Sequence, residues 1–197
     1  MTRALALNSM NFENDIEQCL KVLKDGGLIL YPTDTVWGIG CDATNNKAVE
    51  KIYQLKRRPD NKAMIILVAD EQDVLRHVAA VDLQVFDYLE KASKPITVIY
   101  DGAIGLANNL VAADGSIAIR ICREIFCRHL IKRFRKPIVS TSANISGQSV
   151  PKTFADITSE INQGVDYIVR YRQDDNTAAD SSSIIKWNNG KVEILRP

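Results

Sequence analysis

The sequence predicts a mixed α+β domain, in which a β-sheet with parallel and antiparallel strands packs against helices. Short apolar runs bounded by glycine or proline recur along the chain and are typical of buried strands, and segments with helical periodicity lie between them. Near the C terminus, two apolar runs flank an Asn-Asn-Gly turn at 188–190, which predicts a hairpin and therefore antiparallel pairing. With 197 residues, 46% of them hydrophobic, the chain can bury the core of a single domain spanning 1–197.

The first half of the chain alternates between helices and strands. We expect the first helix to begin at Asn14, where an Asn-Asp-Ile-Glu sequence forms a capping box, and to end at Gly26 and Gly27. Asn46 is predicted to cap a second helix, which stops before Pro59 because the residue preceding a proline disfavours helical geometry. The other elements expected here are strands at 28–31, 63–68 and 96–100, and helices at 72–78 and 83–92.

The second half continues this mixture of elements. Residues 116–121 alternate between small or polar side chains and isoleucine, so a strand here places Ser116, Ala118 and Arg120 on one face. The other features expected are a helix at 124–134, a strand within 137–147, a helix between a Thr153 cap and Gly164, a strand at 167–171, a mobile loop at 172–179, and hairpin strands at 184–187 and 192–195.

Two stretches join a short strand to a cluster of polar side chains. In the first, a buried strand meets Pro32 and is followed by Thr33, Asp34 and Thr35. Hydroxyls and a carboxylate at this position either satisfy nearby backbone groups, as turn residues usually do, or face a polar ligand. The stretch 137–147 repeats the arrangement of strand, hydroxyl cluster and glycine. The sequence therefore offers two polar strand edges.

Charge and composition exclude several function classes. The 25 basic and 24 acidic residues give a net charge of +1, so no global field recruits nucleic acid or a membrane. The four cysteines form no Cys-x-x-Cys pair and no apolar signal segment opens the chain, so we expect reduced, packed cysteines and a cytoplasmic location. With only two histidines, we expect neither a histidine-rich metal site nor a structural zinc.

Two pairs of polar residues share the spacing i and i+2, namely Lys56 with Arg58 and Ser142 with Asn144. In an extended or loop backbone, such side chains project to the same side, so each pair offers two donors to one anion. Lysine suits a triphosphate as a point charge and arginine as a planar fork. The alternative interpretation is structural: a basic helix end that opposes the helix dipole, and a serine-rich turn.

Five motifs, taken together and in order, make the chain resemble the YrdC/Sua5 family. They are Pro32-Thr-Asp-Thr-Val-Trp-Gly38, Lys56-Arg-Arg-Pro59, Ile119-Arg-Ile121, Ser140-Thr-Ser-Ala-Asn144, and Ser182-Ser-Ile-Ile185 with Leu195-Arg-Pro197. The resemblance spans nearly the whole chain and implies a YrdC-like fold, a twisted mixed sheet with flanking helices that encloses a large, positively lined concave cavity. It also implies threonylcarbamoyl-AMP synthase activity, a nucleotidyltransferase reaction of L-threonine, bicarbonate or CO2, and ATP that serves N6-threonylcarbamoyladenosine modification of tRNA.

The resemblance also implies residue roles. Residues that match its nucleotide-binding elements are Lys56, Arg58, Ser142 and Asn144; those that match positions near ATP are Lys62, Ser116 and Arg196; those that match positions holding threonine or its carbamate are Thr35, Arg120, Ser140 and Ser182. Lys56 and Arg58 are expected at a helix exit, facing the cavity rather than the core, where they stabilise phosphate charge. Mg²⁺ is expected to accompany ATP, with no tightly bound organic cofactor and no metal site made by the protein alone.

The chain departs from the family at one turn. The family often carries Pro-Gly-Pro-x-Thr, whereas this chain has Ser93-Lys-Pro-Ile-Thr97. The altered turn either changes the shape of the cavity rim or merely repacks it.

The alternative hypothesis is a non-enzymatic RNA-binding or ribosome-maturation module. Its support is the segment 120–136, which carries seven lysines and arginines against one glutamate, although a solvated basic helix face is the commoner cause of such a run. Weak contact with tRNA or double-stranded RNA also fits the synthase, since its product is destined for a tRNA adenosine. The other expected partner is the downstream tRNA threonylcarbamoyltransferase complex.

Overall fold

The computed structural model describes residues 12–58, 64–188 and 190–197. Its α-helices are α1 Glu13–Lys24, α2 Asn46–Lys56, α3 Glu71–His77, α4 Gln84–Lys91, α5 Ile125–Phe134 and α6 Ser159–Gln163, with a 3-10 turn at Phe154–Asp156. Its strands are β1 Ile29–Tyr31, β2 Gly38–Gly40, β3 Ile65–Val68, β4 Ile96–Tyr100, β5 Ile117–Ile121, β6 Ile138–Ser142, β7 Tyr167–Ile168, β8 Ser183–Asn188 and β9 Lys191–Arg196.

The described strands form one twisted mixed sheet in the order β7-β1-β2-β6-β3-β5-β4-β8-β9. The pairs β1–β7, β3–β5 and β4–β8 are parallel, and the other neighbours are antiparallel. The C-terminal hairpin is present as β8 and β9. The predicted fold class, a mixed sheet with flanking helices, is therefore confirmed.

The two faces of the sheet bury different cores. Along β3, Ile66 and Val68 join a core with α2, α3 and α4, whereas Leu67 joins a second core with α1 and α5. Arg120 pairs with Leu67, and Ser140 pairs with Ile65, so both lie on the face of Leu67, which we call the site face. The α1–α5 core takes side chains from β1, β3 and β6 but, among the described residues, none from β4, β8 or β9. That half of the site face therefore lies outside the α1–α5 core.

Several predicted boundaries differ from the structure. The first helix begins at Glu13 without a side-chain cap, so the Asn14 cap is wrong. Asn45, rather than Asn46, caps α2, because its side-chain oxygen accepts the N–H groups of Lys47 and Ala48. The helix predicted between 153 and 164 is instead a 3-10 turn followed by α6.

The strand predicted at 167–171 stops at Ile168. The N–H groups of Arg170 and Tyr171 donate to the Asp15 carboxylate at 3.1 and 3.0 Å, so the chain turns towards α1 instead of continuing the ladder. The start of the strand predicted at 63–68 lies outside the described residues. All four cysteines are buried free thiols, and in the described part of the chain no helix is long and apolar enough to cross a membrane.

Candidate functional site

The turn between β1 and β2 forms one wall of the candidate site. The Thr33 hydroxyl donates to the Val36 carbonyl oxygen at 2.8 Å and accepts the N–H of Thr35 at 3.0 Å. The hydroxyl of Thr35 lies 3.0 Å from that of Thr33. These bonds satisfy the turn itself, so the structural interpretation is correct in part. Because a hydroxyl can both donate and accept, the paired Thr35 hydroxyl still has hydrogen-bonding capacity for a ligand.

Arg120 lies below this wall, on the site face of β5, with only 4% of its surface exposed. Its Nη2 lies 3.1 Å from Asp34 Oδ1, and the other Asp34 oxygen accepts the N–H of Arg123 at 3.0 Å. The Nε of Arg120 is buried without a hydrogen-bond partner among the described residues. The arginine is thus held on one side by a carboxylate and keeps an unused donor on another.

A β-bulge turns Arg196 towards the same face. Ile185 pairs with Ile194, and Ile184 pairs with Arg196, so Leu195 is an extra residue in β9. Under regular alternation, Arg196 would share the face of Ile194. The bulge shifts it to the opposite, site face.

Arg196 contacts Ser182, whose hydroxyl is paired with that of Thr97. Its Nε and Nη2 donate to the Ser182 carbonyl oxygen at 3.1 and 2.7 Å. The buried hydroxyls of Ser182 and Thr97 lie 2.8 Å apart. Partial burial lowers the pKa of the Arg196 guanidinium, and the positive charge of Arg120 lowers it further. The two arginines therefore share one electrostatic environment, with Arg120 buried and Arg196 open to solvent.

Lys56 and Arg58 lie at the end of α2, as predicted, but only Arg58 is partly open to solvent. Lys56 is 1% exposed, and its Nζ donates to the backbone carbonyl oxygens of Ser142 and Asn144. The prediction that Lys56 stays out of the core is wrong, because the 142–144 loop folds over it. Burial and the nearby charge of Arg58 lower the pKa of Lys56 to about 7, and burial lowers the pKa of Arg58.

Small residues on β2 make room for the polar strand β6. A Cβ atom at Gly38 would lie 3.2 Å from the Ser140 hydroxyl oxygen. At Gly40 it would lie 2.6 Å from the Tyr31 ring and 2.7 Å from the Val139 carbonyl oxygen, which excludes any side chain. Ser140 and Ser142 are two residues apart on β6, so both point to the site face.

Ser116, predicted near ATP, makes its hydrogen bonds locally. Ser116 interacts through its side chain and its N–H with Asp114, at the start of β5. Lys62 lies outside the described residues. Among the described residues, the large cavity predicted over the site is not shown: beside Thr33 and Thr35 the space is about 10 Å³. A cavity of about 670 Å³ lies elsewhere, at the ends of β3 and β5, and its lining includes Arg123.

The sequence prediction missed Arg172, which closes the small space beside the threonines. Its Nη1 donates to the Thr33 carbonyl oxygen at 3.2 Å, and its Nε and Nη2 donate to Asp175 at 3.1 and 2.8 Å. It also lies 3.9 Å from the buried carboxylate of Glu124, whose pKa is raised by burial. Arg172 has a positive φ of 65°, which its sequence neighbours do not signal.

Comparisons with known proteins identify the family of the chain. The family profile of Sua5/YciO/YrdC, described as telomere recombination, matches residues 21–197. The chain is 34% identical over 171 residues to the threonylcarbamoyl-AMP synthase of Idiomarina loihiensis, covering 84% of this chain and 90% of that protein. It is 31% identical over 186 residues to the protein of the same name from Pseudoalteromonas translucida, covering 93% and 98%.

Solved structures share the fold at lower identity. Sua5 from P. abyssi complexed with L-threonine superposes with a TM-score of 0.81 at 21% identity, covering 92% of this chain and 53% of that one. Its H234A/Y235A variant gives a TM-score of 0.82 at 22% identity, covering 92% and 56%. This chain therefore spans little more than half the length of Sua5. YciO from E. coli superposes with a TM-score of 0.79 at 19% identity, covering 93% of this chain and 88% of the YciO chain.

Proposed function

Because the chain belongs to the Sua5/YciO/YrdC family, we propose that it is a threonylcarbamoyl-AMP synthase, an enzyme of the nucleotidyltransferase type. The proposed reaction converts L-threonine, bicarbonate or CO2, and ATP into L-threonylcarbamoyladenylate and pyrophosphate. Relatives that carry the synthase name at 31–34% identity over most of the chain support this proposal, and so does a neighbour complexed with L-threonine.

The observation that carries the proposal is the pair of guanidinium groups beside a cluster of hydroxyls. Arg120 has a buried Nε that no described residue satisfies, and Arg196 approaches from the solvent side with a pKa lowered by partial burial and by the charge of Arg120. Two cations that repel each other are stabilised together when an anion lies between them. The hydroxyls of Thr35, Ser140 and Ser182 complement the polar groups of threonine, and Arg120 complements its carboxylate or its carbamate.

The proposed chemistry requires no protein nucleophile. The threonine amine captures CO2, or bicarbonate with loss of water, to give a carbamate. A carbamate oxygen then bonds to the α-phosphorus of ATP while the bond to pyrophosphate breaks. The task of the protein is to hold two anions in contact and to stabilise the charge that develops on phosphate, which is work suited to Arg58 and Arg196.

Mg²⁺ is proposed to arrive with ATP rather than at a site built by the protein. Among the described residues, no group of three or more His, Cys, Asp or Glu side chains is placed to hold a metal ion. Mg²⁺ in phosphate-binding sites keeps several waters and needs few protein ligands. When bound, it would neutralise phosphate charge beside Arg58.

Pyrophosphate release tests the proposed function. We expect release only when threonine, bicarbonate and ATP are all present, with threonylcarbamoyladenylate detected by mass spectrometry. Arg120→Ala should raise the threonine concentration needed by about tenfold or more, since a charge-assisted hydrogen bond is lost. Release that is independent of threonine, or absent from the complete mixture, would contradict the proposal.

The downstream partners belong to the same proposal. The product would pass to a transferase complex that modifies a tRNA adenosine, and weak contact with tRNA or double-stranded RNA is compatible with this role. The basic segment 120–136 does not by itself favour the RNA-binding alternative, because Lys132, Arg133 and Lys136 each form an ion pair with a carboxylate. Salt-sensitive RNA binding without any turnover would instead support the RNA-binding alternative.

A further inference from the structure

Lys56 ends α2, but its side chain points into the protein. Only 1% of it is exposed, and its Nζ donates to the carbonyl oxygen of Ser142 and, at 2.5 Å, to that of Asn144. Its own carbonyl oxygen accepts the N–H of Ser146 at 2.8 Å. Both ends of the residue therefore bind the same loop, 142–146.

Burying this ammonium is costly, so the arrangement requires a compensating benefit. In the described part of the chain no carboxylate pairs with Lys56, and burial with the nearby Arg58 lowers its pKa to about 7. A methionine of similar length would fill the same space without the penalty of a buried charge. What the ammonium adds is a pair of charge-assisted hydrogen bonds that hold the loop backbone.

The loop carries Asn144, and the orientation of its amide is fixed. Nδ2 donates to the carbonyl oxygens of Ile145 at 3.0 Å and Gln148 at 2.8 Å, so a reversed amide would set oxygen against oxygen. Oδ1 is buried with no hydrogen-bond partner among the described residues. This atom accepts only, so an N–H or O–H of a ligand would satisfy it and a phosphate oxygen would not.

We propose that Lys56 is a positioning residue, which clamps the 142–146 loop so that Asn144 meets the nucleotide, and that its ammonium does not contact the phosphates. The inference rests on the proposed nucleotide site. It leaves direct phosphate contact to Arg58, two residues further on and partly open to solvent. Lys56 then affects ATP affinity only through the loop.

A double-mutant cycle tests this route of action. Lys56→Met and Asn144→Ala should each raise the dissociation constant of ATP about tenfold, as expected for the loss of a hydrogen bond to a bound ligand. The double variant should bind no more than about twofold more weakly than the weaker single variant, because both changes disable one loop. If the dissociation constant of the double variant rises by the product of the two single increases, Lys56 contacts ATP independently of Asn144. That result would overturn the proposal. The matched control is Lys47→Met, an exposed position on the same helix, which should leave ATP affinity unchanged.

Hydrogen exchange of the ligand-free protein separates the clamp from the proposed function. Amides of residues 143–148 should exchange about tenfold faster or more in Lys56→Met, and at the wild-type rate in Lys47→Met. Unchanged exchange would overturn the clamp even if the wild type binds ATP. If the wild type fails to bind ATP, the proposed function fails, whatever the exchange shows.

A measurement on the wild type covers the case in which Lys56→Met does not fold. Its ammonium nitrogen, labelled with ¹⁵N at pH 6, should give a slowly exchanging NMR signal that persists when ATP is added. A shift that follows phosphate occupancy, with measurable coupling to phosphorus, would show direct contact and overturn the proposal.

Discussion

Lys56 and Arg120 are both buried cations of the candidate site, but the protein compensates them differently. Arg120 faces the carboxylate of Asp34 at 3.1 Å, so a full negative charge balances it. Lys56 faces two backbone carbonyl oxygens, which are dipoles rather than charges. Burial and the nearby charge of Arg58 lower the pKa of Lys56 to about 7.

This difference indicates different work for the two side chains. A guanidinium has five N–H groups, and Arg120 keeps a buried Nε that no described residue satisfies. An ammonium has three N–H groups, and Lys56 uses two of them on the loop. The comparison predicts ligand contact for Arg120 and loop positioning for Lys56.

Removing the counter-charge of Arg120 should give the largest effect on stability. Asp34→Ala leaves a buried guanidinium without its counter-charge, and breaking a buried ion pair in this way costs about 3–5 kcal/mol. Urea titration measures this loss in the free energy of unfolding. Glu160→Ala is the control, since it removes an exposed pair with Arg57 and should cost at most about 1 kcal/mol. Equal losses in the two variants would remove the distinction drawn for Arg120.

The pH dependence of stability tests the other half of the comparison. The pKa of Lys56 is lowered to about 7 in the folded protein, against 10.5 for an ordinary lysine, so between these values the unfolded chain binds more protons. The contribution of Lys56 to the free energy of unfolding therefore rises with pH between these two values and does not change with pH below them. Buried Cys19 and Cys41 have raised pKa values and act in the opposite direction at high pH.

The measurement is the difference in the free energy of unfolding between the wild type and Lys56→Met. The contributions of the cysteines are the same in both proteins and cancel in this difference. The wild type should gain stability relative to the variant as pH rises from about 7 to about 10 in urea titrations. A difference that stays constant over this range would mean that Lys56 titrates normally.

A smaller effect, confined to one substrate, is expected at the wall above Arg120. Thr35→Val removes a hydroxyl at little change in volume and should raise the KM for threonine about tenfold while changing that for ATP much less. Serine should remain a poor substrate, and valine should show essentially no turnover. Steady-state kinetics measures both constants. Equal losses for the two substrates would show that Thr35 only stabilises its turn through Thr33.

The smallest effect is expected at Ser116, which the family resemblance places near ATP but the structure bonds to Asp114. Ser116→Ala should change the KM for ATP less than about twofold, as for substitutions away from a site. A loss as large as that of Arg58→Ala would return Ser116 to the nucleotide site and indicate that the start of β5 moves on binding.

Periodicity and turn residues predicted most of the elements, because these signals are local. The strand at 96–100 and the placement of Ala118 and Arg120 on one strand face are examples. The cap of α2 was displaced by one residue, from Asn46 to Asn45, and the Asn14 cap expected for α1 was wrong because that helix begins at Glu13 without a side-chain cap. The strand expected at 167–171 was shortened by Asp15, 152 residues away from Tyr167 in the chain, which no local pattern can announce.

The sequence by itself determined the mixed fold, the family resemblance and the residue types available to the site. Tertiary structure alone decided how those residues are used. The bulge at Leu195 turns Arg196 to the site face, and the 142–144 loop buries Lys56. Spacing along a chain fixes which neighbours share a face, whereas the charge state and hydrogen bonds of a side chain depend on groups brought from distant strands, and those contacts exist only after the sheet has formed.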